Sequence, residues 1–435
     1  MLHSQCRKKC VHGILNYAAD GLIHFVVHAQ RACYYIFYGG NMSITKYLLN
    51  AAAVAPLKLI ALPGCEPLAE TVNNYLVQFR QEVSDANPAK KTLYGYKEDS
   101  YLVNCDLPRF GSGEGKCVIN ESVRGVDLYI LVDVCNYSMT YKEFGEINHM
   151  SPDDHFQNLK RVISAVNGKA HRITVIMPFL YESRQHKRTN RESLDCAIGL
   201  EELSRMGVTN IVSFDAHDPR VANAVPLMGF DNFFPTYQFL KALLKSEPNI
   251  RLDNDHVMII SPDEGAMSRA VYFSNVLGVD MGMFYKRRDY SRVVNGKNPI
   301  VAHEFLGDSV KGKDCIVIDD MISSGGSMLD VAQQLKSRGA KNVYVCCTFG
   351  LFTDGLEKFD EYYKNGIIRK VITTNLIYQT PELLSREWYG TAKMGKYVAS
   401  IIDTLNHDIS IEKVRDTTAK INKLVKRHSP VDGTE

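Results

Sequence analysis

The sequence has almost no imbalance of charge. Its 435 residues carry 51 Lys and Arg against 49 Asp and Glu, a net charge of +2. That excludes the overall basic footprint of a nucleic-acid or membrane-surface protein. Long apolar runs are missing too. The best candidate, Gly21 to Tyr38, is interrupted by His24, His28, Gln30 and Arg31 and makes a poor membrane span. No signal-peptide cleavage pattern accompanies it. The eleven cysteines are odd in number and irregular in spacing, which fits a reducing cytoplasm better than a disulfide framework. Cys6 and Cys10 form a close pair, and Cys346 and Cys347 lie in an apolar stretch, but neither pair has a matching zinc-ligand pair. His24 and His28 lack the glutamate that a zinc-protease helix places after its first histidine. The usual nucleotide loops are also absent. Gly307 to Asp314 has Walker spacing with Gly312-Lys313, but Asp314 stands where Ser or Thr is required and the segment precedes a strand. Gly111, Gly113 and Gly115 fit neither nucleotide fingerprint. Any ATP is therefore held without a Walker loop.

What is present centres on residues 314–330, Asp-Cys-Ile-Val-Ile-Asp-Asp-Met-Ile-Ser-Ser-Gly-Gly-Ser-Met-Leu-Asp. Cys315 to Ile318 read as a buried strand. The strand ends on Asp319 and Asp320. Ser323, Ser324, Gly325, Gly326 and Ser327 follow, and from Met328 the apolar period is helical as far as Gly339. Backbone amides of such a loop and of the helix N-terminus make an anion site that glycine lets a phosphate approach. Two adjacent carboxylates cannot both recognise phosphate, so they point to sugar hydroxyls or a bound Mg²⁺. A βα turn with helix-capping serines is the bland alternative.

The length predicts two domains, and 45% hydrophobic with 23% charged residues is a soluble globular composition. From about residue 57, strands and helices alternate. Strands are expected at 57–62, 116–119, 127–132, 173–177, 210–214, 257–260, 282–285, 315–318, 342–348 and 370–374. Helices are expected at 67–79, 154–166, 193–206, 237–244, 265–276, 328–339, 355–363 and 391–405. Residues 84–109 and 136–153 read as polar excursions. Repeated β–α units argue a parallel sheet covered on both faces, twice over.

Other clusters fall at strand ends, where α/β sheets place ligands. Arg184-Gln185-His186-Lys187-Arg188 suits a polyanion or an exposed loop. His217, between Asp215 and Asp218, suits a metal or a capping cluster. Ser261-Pro262-Asp263-Glu264-Gly265 suits a ligand site or a capped turn. Tyr285-Lys286-Arg287-Arg288, opening the polar stretch 289–299, suits a solvated edge or a mobile cationic loop that closes over polyphosphate.

The 314–330 string resembles the phosphoribosyl-pyrophosphate (PRPP) loop shared by phosphoribosyltransferases and ribose-phosphate pyrophosphokinases. It does not say whether PRPP is made or consumed. The clusters in their order, from about Lys58 to Asp408, resemble the pyrophosphokinases. Phe110-Gly-Ser-Gly-Glu114 followed by Glu121-Ser-Val-Arg-Gly125 resembles the family's N-terminal nucleotide loop and the strand after it. The resemblance implies two tandem phosphoribosyltransferase-like α/β domains, each a mostly parallel sheet flanked by helices, at 52–238 and 239–408, with a charged tail at 409–435. It implies ATP contacts at Phe110, Ser112, Glu114, Arg184 and Gln185, the first three reaching a neighbouring subunit's site in a homo-oligomer. It implies metal ligands at His217 and Asp263 for Mg²⁺, and a catalytic pair at Lys286 and Arg288. Ribose 5-phosphate falls to Asp319, Asp320, Ser323, Ser324, Gly325, Gly326 and Ser327. The implied reaction joins ATP and ribose 5-phosphate to give PRPP and AMP, in the cytoplasm, with no nucleic-acid or membrane partner. A PRPP-using phosphoribosyltransferase and a catalytically silent regulatory subunit are the alternatives. Departures from the family pattern are His186 and Ser323, each in place of Asp, and the longer stretches 84–109, 136–153 and 289–299.

Residues 1–41 differ from the rest, and Met42 follows Gly39-Gly40-Asn41. Codons for Gly-Gly can spell a ribosome-binding site, so 1–41 are expected to be translated leader or a disordered extension. The protein made from its native gene should then have an N-terminal mass that starts at Met42. A mature chain that begins at Met1 defeats this expectation.

Overall fold

The computed structural model describes residues 48–288 and 300–428. The expectations for 1–41 and for the stretch 289–299 lie outside the described residues. The first part of the chain contributes β1 (Leu57–Ala61), β2 (Cys105–Asp106), β3 (Val118–Ile119), β4 (Asp127–Leu131), β5 (Thr140–Glu143), β6 (Glu146–His149), β7 (Arg172–Ile176), β8 (Asn210–Phe214) and β9 (Gly229–Phe233). Five of these form one sheet in the order β1-β4-β7-β8-β9, and every neighbouring pair is parallel. β4, Asp-Leu-Tyr-Ile-Leu, is buried along its whole length, as a strand covered on both faces must be. The helices Glu66–Ala86, Pro152–Val166 and Asp195–Arg205 connect the strands. Ser151, Pro152 and Asp154 make a reciprocal cap that fixes where the second of these begins.

The second part contributes β10 (Val257–Ser261), β11 (Met281–Arg288), β12 (Ile300–Leu306), β13 (Asp314–Ile322), β14 (Asn342–Gly350), β15 (Lys370–Thr374) and β16 (Tyr389–Ala392). They form a seven-stranded sheet in the order β12-β11-β10-β13-β14-β15-β16. Only the edge pair β11–β12 is antiparallel. Two α/β sheets flanked by helices are thus the architecture that the alternation predicted.

Several local readings are corrected. The 136–153 excursion holds the hairpin β5–β6. Residues 84–109 continue the first helix to Ala86 and then supply β2, which pairs with the short β3. Thr391 begins no helix: residues 389–392 are edge strand β16, and the helix is Gly395–Asn406. β9 and β12 were not anticipated. β9 is short and half-polar, so its register depends on a neighbour more than on its own pattern.

The helix Gly395–Asn406 also changes the domain picture. Its Tyr397, Val398, Ala399, Ile401 and Ile402 belong to the core of the first sheet, with Leu59, Ile130 and Val212. An assignment of 239–408 to the second unit therefore gives this helix to the wrong core. It is buried on most of its circumference, so it needs cover from more than one side, and the Glu66–Ala86 helix supplies part of that cover. Arg80 Nη2 lies 2.7 Å from Asp403 Oδ1, with both side chains at most 1% exposed. The same guanidinium donates to Asn406 Oδ1 at 2.6 Å, and Asn406 Nδ2 donates to Asp127 Oδ2 at 2.8 Å. The tail is helical at Glu412–Arg415 and Thr418–His428, with Val414 and Ile421 buried.

Asp403→Ala leaves the Arg80 guanidinium buried without its carboxylate. Removing one partner of such a pair costs about 3–5 kcal/mol. Urea unfolding should show a loss of that order; a loss below about 1 kcal/mol would mean that Arg80 finds water or another partner.

Candidate active site

β13 delivers Asp319 and Asp320 near its carboxyl end. Asp320 is 4% exposed, and its N–H donates to Asp319 Oδ1 at 2.8 Å. The residue that meets it comes from the other sheet. After β8 the chain turns at Asp215, whose φ is +45°, and presents His217. The Nδ1–H of His217 donates to Asp320 Oδ2 at 2.6 Å. Burial opposes ionisation of Asp320, but the His217 hydrogen bond and the Arg269 charge outweigh it and hold this carboxyl below its usual range. Asp320 in turn raises the His217 imidazole above its ordinary value, against the pull of burial. Asp319 goes the other way. Burial and the neighbouring Asp320 charge push it well above the carboxylate range.

Two residues behind this pair, Arg269 and Thr348, escaped the sequence reading. Arg269 Nε donates to Asp215 Oδ1 at 2.5 Å, and its Nη2 lies 3.6 Å from Asp320 Oδ2. Thr348, on β14, donates its hydroxyl to Asp215 Oδ2 at 2.8 Å. Each is an ordinary residue inside an ordinary element, so no local pattern marks it.

The loop after β13 is shorter than expected, because Gly326 and Ser327 already belong to the helix that follows. Gly325 takes φ +87° and precedes the helix Gly326–Ser337. A Cβ there would sit 2.4 Å from Phe359 Cε2, so the position accepts little but glycine. Ser323 accepts from the Thr353 N–H at 3.0 Å, which ties the loop to the segment after β14. The first amides of the helix have no preceding carbonyl to bond and face the loop.

The remaining candidates are placed as follows. Asp263 caps its turn, with Oδ1 accepting from Gly265 N–H at 2.9 Å and Ala266 N–H at 3.2 Å. It lies close enough to Asp319 to raise that carboxyl further. Arg184 is near enough for its charge to act on His217. Gln185 turns its amide onto its own loop, donating to Ser193 O at 2.8 Å. His186, the departure from the family pattern, packs its ring 5.5 Å from that of His217. Lys286 and Arg288 lie on β11 opposite His303 and Ile300, with a ladder irregularity between Arg287 and Arg288; their side chains lie outside the described residues. Phe110, Ser112 and Glu114 are exposed and sit elsewhere. Ser112 donates to Glu114 Oε2 at 2.9 Å, and the loop is tied to the β5–β6 turn by Phe144 N–H to Gly111 O at 2.8 Å. A cleft of about 490 Å³ beside Lys116, Lys160 and Arg161 shares no lining residue with the Asp320 cluster.

This geometry joins the strand ends of two α/β sheets, with an acidic pair beside a small-residue loop. Residues 57–207 match the N-terminal domain of ribose phosphate pyrophosphokinase, and residues 237–385 match the phosphoribosyl transferase domain. The ribose-phosphate pyrophosphokinase of Vibrio vulnificus is 30% identical over 305 residues, which are 69% of this chain and 85% of that protein. The chain belongs to the ribose-phosphate pyrophosphokinase family. The relative from Vibrio parahaemolyticus is 29% identical over 316 residues, 71% of this chain and 90% of the relative. The fold is that of the phosphoribosylpyrophosphate synthetase of Mycobacterium smegmatis, with a TM-score of 0.64 and 22% identity over 81% of this chain and 99% of that one. Two α/β sheets in tandem are thus an arrangement shared with that structure.

Gly325→Ala should lower stability by about 1–3 kcal/mol, since a side chain is forced into a left-handed position against a buried ring. Ser327→Ala, at an exposed position in the first turn of the helix Gly326–Ser337, should leave the melting temperature unchanged. Thermal unfolding of the two variants side by side checks both; equal melting curves would show that the loop relaxes away from Phe359.

Proposed function

We propose that this chain makes PRPP, transferring the diphosphoryl group of ATP to the anomeric hydroxyl of ribose 5-phosphate and releasing AMP. The observation that carries this reading is the His217–Asp320 hydrogen bond. It sets the loop after β8 of the first sheet against the acidic end of β13 in the second. In this reading the 323–327 loop holds the 5-phosphate by its amides and hydroxyls. Asp319 and Asp320 face the ribose hydroxyls beside it. Arg184, near His217, meets the ATP phosphates, and Gln185 shapes the loop that carries it. Lys286 and Arg288, at the end of β11, neutralise charge on the diphosphoryl group. The hydroxyl attacks the β-phosphorus and AMP departs with the bonding pair. Phosphoryl-type transfer asks for alignment and charge neutralisation rather than a covalent intermediate.

The donor set suits Mg²⁺. Asp319 and Asp263 offer carboxylate oxygens, and a cation beside Asp319 would relieve the repulsion that raises it. Nδ1 of His217 is committed to Asp320, which leaves Nε2 for a ligand. Mg²⁺ keeps several waters and is held by one or two carboxylates together with substrate phosphates. Bound there, Mg²⁺ supplies charge neutralisation on the phosphate oxygens.

Phe110, Ser112 and Glu114 make their contacts away from Asp320 within this chain, which supports a nucleotide loop that serves a neighbouring copy in a homo-oligomer. Among the described residues no helix is long and apolar enough to cross a membrane, and the free cysteines favour the cytoplasm. The second reading, a silent regulatory subunit, is favoured by Ser323 and His186. A phosphoribosyltransferase explains 314–330 but leaves the first sheet without a role. One assay separates all three. Incubation with Mg²⁺, ATP and ribose 5-phosphate should yield AMP and PRPP; PRPP consumed with a nucleobase, or no turnover at all, selects one of the others.

Lys286→Ala tests the charge assignment. A cation aimed at charge that shifts during transfer helps the transition state more than the ground state. Its loss should lower kcat by about 10²–10³ with smaller changes in KM, as for other preorganised donors. An intact kcat with only the ATP KM raised makes Lys286 a ground-state phosphate binder.

A further inference from the structure

We infer that Arg269 is a positioning residue that sets His217 on Asp320 across the boundary between the two sheets. The inference rests on the reading of the Asp320 site as the PRPP-forming centre. Arg269 lies in the first turn of the helix Met267–Leu277, and its side chain is 9% exposed. One guanidinium meets both bodies. Toward the first sheet, Nε donates to Asp215 Oδ1 at 2.5 Å and Nη2 to Ala216 O at 3.4 Å. Toward the second, Nη1 donates to Gly265 O at 3.3 Å and Nη2 stands 3.6 Å from Asp320 Oδ2. The residue it grips hardest is two positions before His217.

That grip matters because of how residue 215 is folded. Asp215 holds a left-handed φ of +45°, a conformation that costs a side-chain-bearing residue energy and survives only where its surroundings impose it. Here they do. The Asp215 N–H donates to Phe233 O at 2.8 Å, the Ala216 N–H donates to Asn232 Oδ1 at 3.0 Å, and the Thr348 hydroxyl donates to Asp215 Oδ2 at 2.8 Å. The remaining carboxylate oxygen belongs to Arg269. The imidazole that follows thus reaches Asp320 from a backbone held on several sides.

Electrostatics give the same answer. Asp215 and Asp320 are both buried, and each raises the cost of charge on the other. A guanidinium between them answers both. A lysine would do so less well, because its point charge lacks the planar fork of five fixed donors. An active-site group displaced by about 1 Å can lose on the order of 10² in rate, so the strut is worth more to turnover than to folding.

The test uses the full-length protein and the variants Arg269→Met, Arg269→Lys and Asp215→Asn. Turnover is measured well below each melting temperature, and the ring N–H of His217 is followed by long-range ¹H–¹⁵N NMR. Arg269→Met should lower kcat about 10²-fold with the ATP KM little changed, and the low-field His217 proton should disappear. Arg269→Lys should recover only part of the rate. The double variant Arg269→Met with Asp215→Asn should be no slower than Arg269→Met alone, as expected of residues in one chain of contacts. A kcat equal to the parent's with a lowered melting temperature makes Arg269 a plain strut and overturns the inference, as does an unchanged His217 signal. If Arg269→Met does not fold, Arg269→Lys and Asp215→Asn carry the same comparison. A parent protein that forms no PRPP overturns the proposed function instead, and the His217 signal still decides the positioning role.

Discussion

Asp320 is a carboxylate at the end of a buried strand, and its negative charge has to be answered where water scarcely reaches. His217 and Arg269 provide the answer, and both come from outside β13. A buried charge that loses its partner is far more costly than a surface one, so the neighbourhood of Asp320 cannot vary freely. It fixes where the first sheet stands relative to the second, because His217 belongs to one and Asp320 to the other. It also explains why a residue as ordinary as Thr348 is engaged: Asp215, which receives Arg269, needs a second donor once it is buried.

The same joining of bodies is repeated away from the site by different means. The Gly395–Asn406 helix leaves the second sheet and completes the core of the first. Arg80, Asp403, Asn406, Asp127 and Arg172 then form a continuous polar chain at its end. Asp133 adds another tie, accepting from the Tyr378 N–H at 2.7 Å, and Phe179 packs edge-on against Phe349 at 5.0 Å. Two sheets that would otherwise meet only at a ligand are therefore braced at several points. A site built from loops of both gains the rigidity that alignment of two substrates requires.

Two of the departures from the family pattern, His186 and Ser323, lie beside the acidic pair and its partners. His186 lies against His217, and Ser323 lies in the loop whose shape is set by Gly325 and Phe359. Neither displaces the acidic pair or its partners. The longer 136–153 stretch forms the β5–β6 hairpin, which holds the 110–114 loop by a backbone bond. The extra length of chain is thereby spent on ordering a neighbouring loop and leaves the strand ends untouched.

By itself, the sequence determined what is local. The strand, acidic pair, small-residue loop and helix of 314–330 are adjacent in the chain, and both their order and their chemistry follow from residue type. The β–α alternation is likewise a matter of periodicity, and most elements stand within a few residues of where that periodicity puts them. Edge strands β9 and β16 were not legible, because short half-polar strands are selected by the neighbour they pair with. Nor was the destination of the Gly395–Asn406 helix: an apolar helix demands burial without naming its partner. The pairing of His217 with Asp320 spans 103 positions, and Arg269 carries no motif. A contact of that kind depends on the path of the whole chain, and only the tertiary structure decides it.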